Sequence, residues 1–453
     1  MKYRIDEDSL GKVKIPSDAY YGPFTGRAIK QYHVTGNKAH KNLIEAFVMI
    51  KRSAAVANMK TKAIDSKHGR AIIKACDLIL SGKFHDQFAV DMINSGAGTA
   101  FNMNTNEVIA NVALKTIKKK QGQYQFLHPN DHVNMSQSSN DTFPTAMHVA
   151  ILMNIKQVIP AIDILIKSLN KKSRQFSAYK KIGRTHLMDA LPVTLGGEFA
   201  AYSVSITKAK NAIITAKKEL EFVALGGTAV GTGANTPKGY RKIAVSELAK
   251  ISKLLLKPEK NMQHALQSKF AVANMSSALR NLALEINKLS NDIRLMASGP
   301  IAGLSELGIP AVHAGSSIMP GKVNPSLAEC MNMICFEIIG NDTTVAHAAQ
   351  SGQFELNVML PGMLKSILES TDMIKNFFPI FSANLIDGLT ANKEKLKKDI
   401  ENSPVIVTLL APKIGYLKSA ELFKESLKTG KTIRELVTSK KLLSKKEIDS
   451  LFG

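Results

Sequence analysis

The feature that most constrains the fold is an apolar repeat within residues 272–297. Its members are Met275, Leu279, Leu282, Ile286, Leu289, Ile293 and Met296. Alternating spacings of four and three residues place these side chains on one stripe of a long helix. A stripe of this length is buried only when the helix packs lengthwise on other helices. We therefore predict an all-α fold organised around a helical bundle.

Three further segments show related patterns. The first comprises Ile206, Ala209, Ile213, Ala216, Leu220 and Val223, and the second comprises Leu360, Leu364, Ile367, Ile374 and Phe378, interrupted by Thr371. The third covers 145–170, where Pro160 should kink the helix. We predict four long helices between about 140 and 390. Strand patterns are confined to short N-terminal stretches, Tyr3–Ile5 and Lys12–Ile15.

Length and charge narrow the possible functions. The 453 residues exceed what one hydrophobic core usually organises, and 45% are apolar, so we expect several ordered domains. The net charge of +23 raises the possibility of nucleic-acid binding, but the basic residues form only one short run, Lys118–Lys120, and no aromatic residues alternate with it. We expect no nucleic-acid partner. The charge could instead steer a small dianion toward a cleft.

The cysteines and the N-terminus indicate a cellular location. Cys76, Cys330 and Cys335 are too few and too unevenly spaced for a disulfide framework. No apolar run follows the charges of MKYRIDEDSL, and nowhere do 18 consecutive apolar residues occur. We expect a reduced, cytoplasmic protein without a signal peptide or a membrane partner.

Motifs for metals and dinucleotides lack their structural context. His128 and His132 are four residues apart, but the Pro-Asn-Asp between them breaks a helix. The glycines at 231 and 233 follow no strand pattern, so a dinucleotide loop is not expected. We predict no metal and no cofactor.

Five segments replace the apolar patterns with small and polar residues. They are 94–106, 128–145, 183–197, 225–237 and 308–326. Such segments present backbone N–H groups and short hydroxyls, which suit the capture of carboxylates and oxyanions. We interpret them as loops of one anion site.

These segments resemble the signatures of the fumarase/aspartase superfamily over essentially the whole chain. The motifs are GAGTAFNMNTNEV, HPNDHVNMSQSSNDTFPTA, GRTHLMDALPVTLG, LGGTAVGTGANT and, at 315–325, GSSIMPGKVNP. The resemblance implies an all-α chain of three domains, with boundaries at 1–136, 137–390 and 391–453. It also implies a homotetramer in which three subunits build each active site. Members eliminate a group from a succinyl skeleton without a redox cofactor.

The resemblance assigns the residues that handle the reacting carboxylate. Loss of a proton beside a carboxylate creates an aci-carboxylate dianion, which needs donors and a cation. Lys322, Asn324 and Thr185 would bind that group. Ser316 would be the base, provided that loop N–H groups stabilise its alkoxide.

The remaining site residues also follow from the resemblance. Substrate contacts would come from Thr99, Ser138, Ser139, Asn140 and Ser317, with Thr99 and Asn140 near the leaving group. His186 would be a catalytic residue that Glu329 orients. His128, Asn130 and Asp131 match a second anion site.

The leaving group is either ammonia or water. The segments DQFAVDMINSGAGTAFNMNTNEVIAN, LTANKE and TGKTIRELV favour the ammonia-eliminating branch, whereas Ser139 favours the water-eliminating branch. We expect a lyase that converts L-aspartate to fumarate and ammonia, with elimination of water from L-malate as the alternative. A structural protein that keeps the scaffold without turnover is less expected, because the motif residues are present.

Overall fold

The computed structural model describes residues 2–94, 96–315, 318–444 and 446–448, and helices dominate them. The helices are α1 (Pro23–Gln31), α2 (Lys41–Lys60), α3 (Ser66–Leu80), α4 (Thr99–Thr116), α5 (Ser139–Gln175), α6 (Leu195–Glu219), α7 (Tyr240–Ser252), α8 (Met262–Gln267), α9 (Phe270–Met296), α10 (Ser326–Gln350), α11 (Leu360–Asn384), α12 (Lys393–Asn402), α13 (Ala411–Ile414), α14 (Tyr416–Thr429) and α15 (Ile433–Ser439). The predicted all-α class is confirmed.

Eight short strands form four pairs in the described residues. The antiparallel pairs are β1 (Tyr3–Asp8) with β2 (Gly11–Pro16), β3 (Lys180–Thr185) with β4 (Met188–Thr194), and β7 (Leu307–Gly308) with β8 (Thr390–Ala391); β5 (Phe222–Val223) and β6 (Lys257–Pro258) are parallel. The N-terminal pair lies where strands were predicted. The confinement of strands to that region was wrong, because β3 and β4 form a hairpin in a segment interpreted as a loop.

The chain divides into two compact units. The first comprises residues 1–160, 210–281 and 336–375. In it α2 packs against α3 and α7, and α3 packs against α4. The ring of Phe47 lies 5.2 Å from that of Phe101 and 5.6 Å from that of Phe143, between centroids, and these contacts tie α2 to α4 and α5.

The second unit comprises 161–209, 282–335 and 376–453. Its C-terminal helices enclose a separate apolar cluster of Ile406, Val407, Leu410, Leu422, Ile433, Leu436, Val437 and Ile448. Thr432 and Glu435 form a capping box at the start of α15, which satisfies backbone N–H groups that the helix leaves unpaired. The division into three domains stays a prediction.

The predicted apolar stripes are buried. All seven members of the α9 stripe are buried, as are the five apolar members in α11. Thr371, which interrupts the α11 stripe, is also buried and donates its hydroxyl to the carbonyl of Ile367 at 2.8 Å. The stripe of α6 is buried too, but the helix ends at Glu219, so Leu220 and Val223 lie beyond it.

In the part of 139–384 that the structure describes there are five long helices, and not the predicted four. The missing one is α10. It buries Ala328, Met331, Cys335, Ile338 and Val345. Its Met333 and Phe336 are 59% and 57% exposed, so apolar residues occur on more than one face and obscure the stripe.

Helix α5 continues through Pro144 and Pro160. Among the described residues it is the one helix long and apolar enough to cross a membrane by length and composition. Its Asn154 is buried and donates to the hydroxyl of Thr371 and to Asp372, both at 2.7 Å. These contacts are those of a helix in a protein core.

Candidate functional site

The N-terminus of α4 holds Thr99. Both the backbone N–H and the hydroxyl of Thr99 donate to the carbonyl of Gly96, at 2.8 and 2.5 Å. The preceding Gly98 has a φ of +80°, and a Cβ there would overlap the ring of Phe143. Glycine therefore lets the start of α4 approach α5 closely. Thr99 is half-buried at this junction.

Ser138, Ser139 and Asn140 lie at the start of α5 and are half-buried. The amide of Asn140 donates to the carbonyl of Ala229 at 2.9 Å. This bond connects two of the five polar segments, 128–145 and 225–237. The close approach of Gly98 to Phe143 places Ser139 and Thr99 on adjoining helix starts within the first unit.

Asp141 holds these two segments together and was not identified from the sequence. It is fully buried, and its carboxylate accepts the N–H groups of Ser138, Gly226 and Thr228 at 3.0, 3.0 and 2.9 Å. Burial raises the pKa of Asp141 to about 6 in spite of these bonds. An acidic residue in the first turn of a helix is a common sequence feature, so no pattern distinguished it.

A cavity of about 610 Å³ in the first unit is lined by Thr99, His128 and Asn130 among others. The Nδ1 atom of His128 accepts the N–H groups of Asn130 and Asp131 at 3.2 and 3.3 Å. Its Nε2 atom therefore carries the ring proton whenever the imidazole is neutral. Asp131 has an exposed side chain and does not line this cavity.

The hairpin of β3 and β4 presents Thr185 and His186. Thr185 pairs with Met188, so the turn consists of His186 and Leu187. Their φ values are +56° and +61°, as a type I′ turn requires. Such turns usually contain Asn-Gly, and His-Leu gives no turn signal, which is why the hairpin was missed. Both Thr185 and His186 are exposed in the chain.

Glu306 anchors the base of this hairpin. Its fully buried carboxylate pairs with Lys181 and with Arg184, both at 2.7 Å. Each cation lies on β3, close before Thr185. These two ion pairs hold β3 against Glu306 and so limit the positions that the turn residues His186 and Leu187 can adopt.

Lys322 and Asn324 lie in the segment that leads into α10, and Glu329 lies in its first turn. A Cβ on Gly315 would overlap the carbonyl of Lys322, so the ends of this loop touch. Ser316 and Ser317, the predicted base and its neighbour, lie outside the described residues. Lys322 and Glu329 are exposed, and no hydrogen bond or ion pair in the described parts of the chain joins Glu329 to His186.

The described residues contain no group of three or more His, Cys, Asp or Glu side chains placed to hold a metal ion. The polar side chains at the starts of α4 and α5, those of Thr99, Ser138, Ser139 and Asn140, are hydroxyls and one amide. Such groups suit carboxylates.

Comparison with known proteins identifies the class. A family model described as a lyase matches residues 11–340, and one described as the fumarase C C-terminus matches 406–453. The chain belongs to this fumarase/aspartase family of lyases, as its motifs predicted.

Individual relatives extend over the whole chain. It is 43% identical to the aspartate ammonia-lyase of Bacillus subtilis strain 168 over 452 residues, covering 100% of this chain and 95% of the relative. It is also 43% identical to that of Escherichia coli strain K12, covering 99% and 95%. The structure of class II fumarase from Schistosoma mansoni has a TM-score of 0.96 at 36% identity, covering 100% and 98%.

Proposed function

We propose that this protein is an aspartate ammonia-lyase, which reversibly converts L-aspartate to fumarate and ammonia. The observation that carries this proposal is 43% identity, over almost the full length of both chains, to aspartate ammonia-lyases. The polar helix starts and loops supply the donors that a dicarboxylate needs. A direct test follows fumarate by its ultraviolet absorbance during incubation with L-aspartate.

In the proposed mechanism Ser316 removes a proton from C3 of aspartate. The electrons of that C–H bond pass through an aci-carboxylate at the adjacent carboxyl group, which Lys322, Asn324 and Thr185 stabilise. They then form the C2–C3 double bond, and the C2–N bond breaks with its electrons remaining on nitrogen. Protonated amine leaves as ammonia and needs no acid catalyst.

The other residues bind and orient. Ser138, Ser139 and Ser317 donate to the second carboxylate, whereas Thr99 and Asn140 lie near the departing nitrogen. His186, oriented by Glu329, supports the reacting carboxylate. His128, Asn130 and Asp131 match a second anion site, of which His128 and Asn130 line the cavity and Asp131 does not. Because Nδ1 of His128 accepts two backbone N–H groups, Nε2–H would be its donor to an anion.

We propose a homotetramer with sites that three subunits share. Exposed apolar residues on the long helices support it: Val204, Leu284, Leu295, Met333, Phe336 and Ile380 are all between 42% and 59% exposed. An interface with another chain would cover such side chains. The exposure of His186 and Glu329 also supports completion of the site by other chains.

Mixed variants test this sharing. Asn140→Ala and Lys322→Ala should each be inactive alone. When the two are unfolded together and refolded, mixed tetramers regain sites that contain both native residues. Recovered activity supports shared sites, whereas sites built from one chain would give none.

Fumarate hydratase is the second candidate, because the likeness to the Schistosoma mansoni enzyme also covers the whole chain. Parallel assays with aspartate, malate and argininosuccinate separate the alternatives. Fumarate formation from malate but not from aspartate would reject the ammonia-lyase. A cytoplasmic location is part of the proposal, supported by the three free cysteines, of which Cys76 and Cys335 are buried.

A further inference from the structure

Lys51 on α2 is fully buried and has no part in the proposed mechanism. Its ammonium donates to Oδ1 of Asn102 at 2.6 Å and to Oδ1 of Asn134 at 2.9 Å. It forms no ion pair with a carboxylate of the described residues. Burial lowers the pKa of Lys51 to about 7. A buried ammonium is costly unless it has both hydrogen bonds and an opposite charge beside it, and Lys51 has the hydrogen bonds without an ion pair, so this arrangement calls for a functional reason.

The ammonium fixes the orientation of the Asn102 amide. The charged form of Lys51 can only donate, so the Asn102 amide must present its oxygen to that form. Its NH₂ group then faces Oγ of Ser139 at 3.1 Å and Oδ1 of Asn134 at 3.2 Å. Because the Ser139 oxygen accepts this inner bond, its own proton is free to point elsewhere.

We propose that Lys51 is a positioning residue that, through Asn102, fixes the Ser139 hydroxyl as a hydrogen-bond donor to a substrate carboxylate. This inference rests on the proposed function, which places Ser139 at that carboxylate. A hydroxyl that was free to rotate would lose orientation entropy on binding. A hydroxyl already oriented as a donor binds the anion without that cost.

Asn102→Asp is the sharpest test. The new carboxylate still accepts a hydrogen bond from Lys51, but it has no proton to donate to Ser139. It therefore accepts a hydrogen bond from the Ser139 hydroxyl, whose proton then points toward residue 102 and away from the substrate. We expect the KM for aspartate and the dissociation constant of succinate, a dicarboxylate without a leaving group, to rise roughly tenfold or more. kcat should change much less.

A double-mutant cycle separates this effect from charge repulsion. In the Ser139→Ala background, Asn102→Asp should have little further effect, because no hydroxyl remains to be turned. A penalty of equal size in both backgrounds would overturn the proposal, as would wild-type succinate affinity in Asn102→Asp.

Lys51→Met provides a second, independent variant. It should weaken succinate binding through the same coupling to Ser139. Lys172→Met is the matched control, because Lys172 is also buried but donates to the carbonyl of Leu389 at 2.7 Å. It should leave the KM unchanged. If the unmodified protein binds succinate but converts neither aspartate, malate nor argininosuccinate, the proposed function is refuted. The role of Lys51 can still be tested in that case, because succinate binding reports the Ser139 donor without turnover.

Discussion

Replacement of Gly98 by alanine tests the close approach that places Thr99. The residue has a φ of +80°, where an L side chain costs about 1–2 kcal/mol. Its new Cβ would also overlap the ring of Phe143, and overpacking of this kind costs about 1–3 kcal/mol. Together we expect the start of α4 to lose about 2–5 kcal/mol of local stability.

Hydrogen exchange measures this loss directly. The amides of Phe101 and Asn102 donate to the carbonyl of Gly98 at 3.1 and 3.0 Å, so they report opening of the first helical turn. Since each 1.4 kcal/mol is a factor of ten, their protection should fall about thirtyfold or more. The KM for aspartate should rise as well, because Thr99 moves.

Gly82→Ala is the matched control. Gly82 has a φ of +92°, but no atom lies within 4 Å of the point that a Cβ would occupy, so the substitution incurs the backbone cost alone. It should leave the Phe101 and Asn102 amides unchanged. Wild-type protection of these amides in Gly98→Ala would refute the close approach of α4 and α5.

Two further substitutions test other charged contacts. Burial opposes ionisation of Asp372, but hydrogen bonds that include those from His40 and Lys375 outweigh it and hold its pKa well below 3.8. The stability from this lowered pKa is therefore present above about pH 4 and is lost as the pH falls further. Asp372→Asn should lower the free energy of unfolding by about 1 kcal/mol at pH 7 and by less at pH 3. Thermal denaturation at both pH values checks this difference. Glu306→Gln breaks the ion pair with Arg184 and should lower the free energy of unfolding by about 3–5 kcal/mol. The KM for aspartate should rise as well. An unchanged denaturation midpoint would contradict the anchoring role of Glu306.

The helices could be predicted because burial imposes a regular spacing on their sequences. The α9 stripe follows this rule along its whole length, and each member is buried. The rule fails for α10, since Met333 and Phe336 add apolar residues to an exposed face. The same exposed residues that hid the helix are those that support an interface. A single apolar stripe therefore identifies a helix whose apolar residues are all buried within their own chain. In an oligomer, some apolar residues can instead be buried against another chain.

The hairpin could not be predicted, because its turn is stabilised from a distance. His186 and Leu187 adopt a conformation that local sequence disfavours by about 1 kcal/mol each. Strand β3 nevertheless holds its place because Lys181 and Arg184 pair with Glu306, more than a hundred residues further along the chain. Sequence periodicity is local and contains no information about such a pairing.

The candidate site residues could be named from motifs, but one chain leaves His186 and Glu329 exposed and apart from each other in the described residues. An imidazole works as a directed donor or acceptor only when a partner fixes its orientation. His186 is exposed, and Glu329, its expected partner, is exposed as well without contacting it in the described residues of the chain. Within the proposed tetramer, we expect the glutamate that pairs with His186 to come from another copy. His186→Ala and Glu329→Ala, each weakly active alone, should regain activity when they are refolded together, because mixed tetramers contain sites with both native residues. Absence of recovery would contradict a pairing between chains.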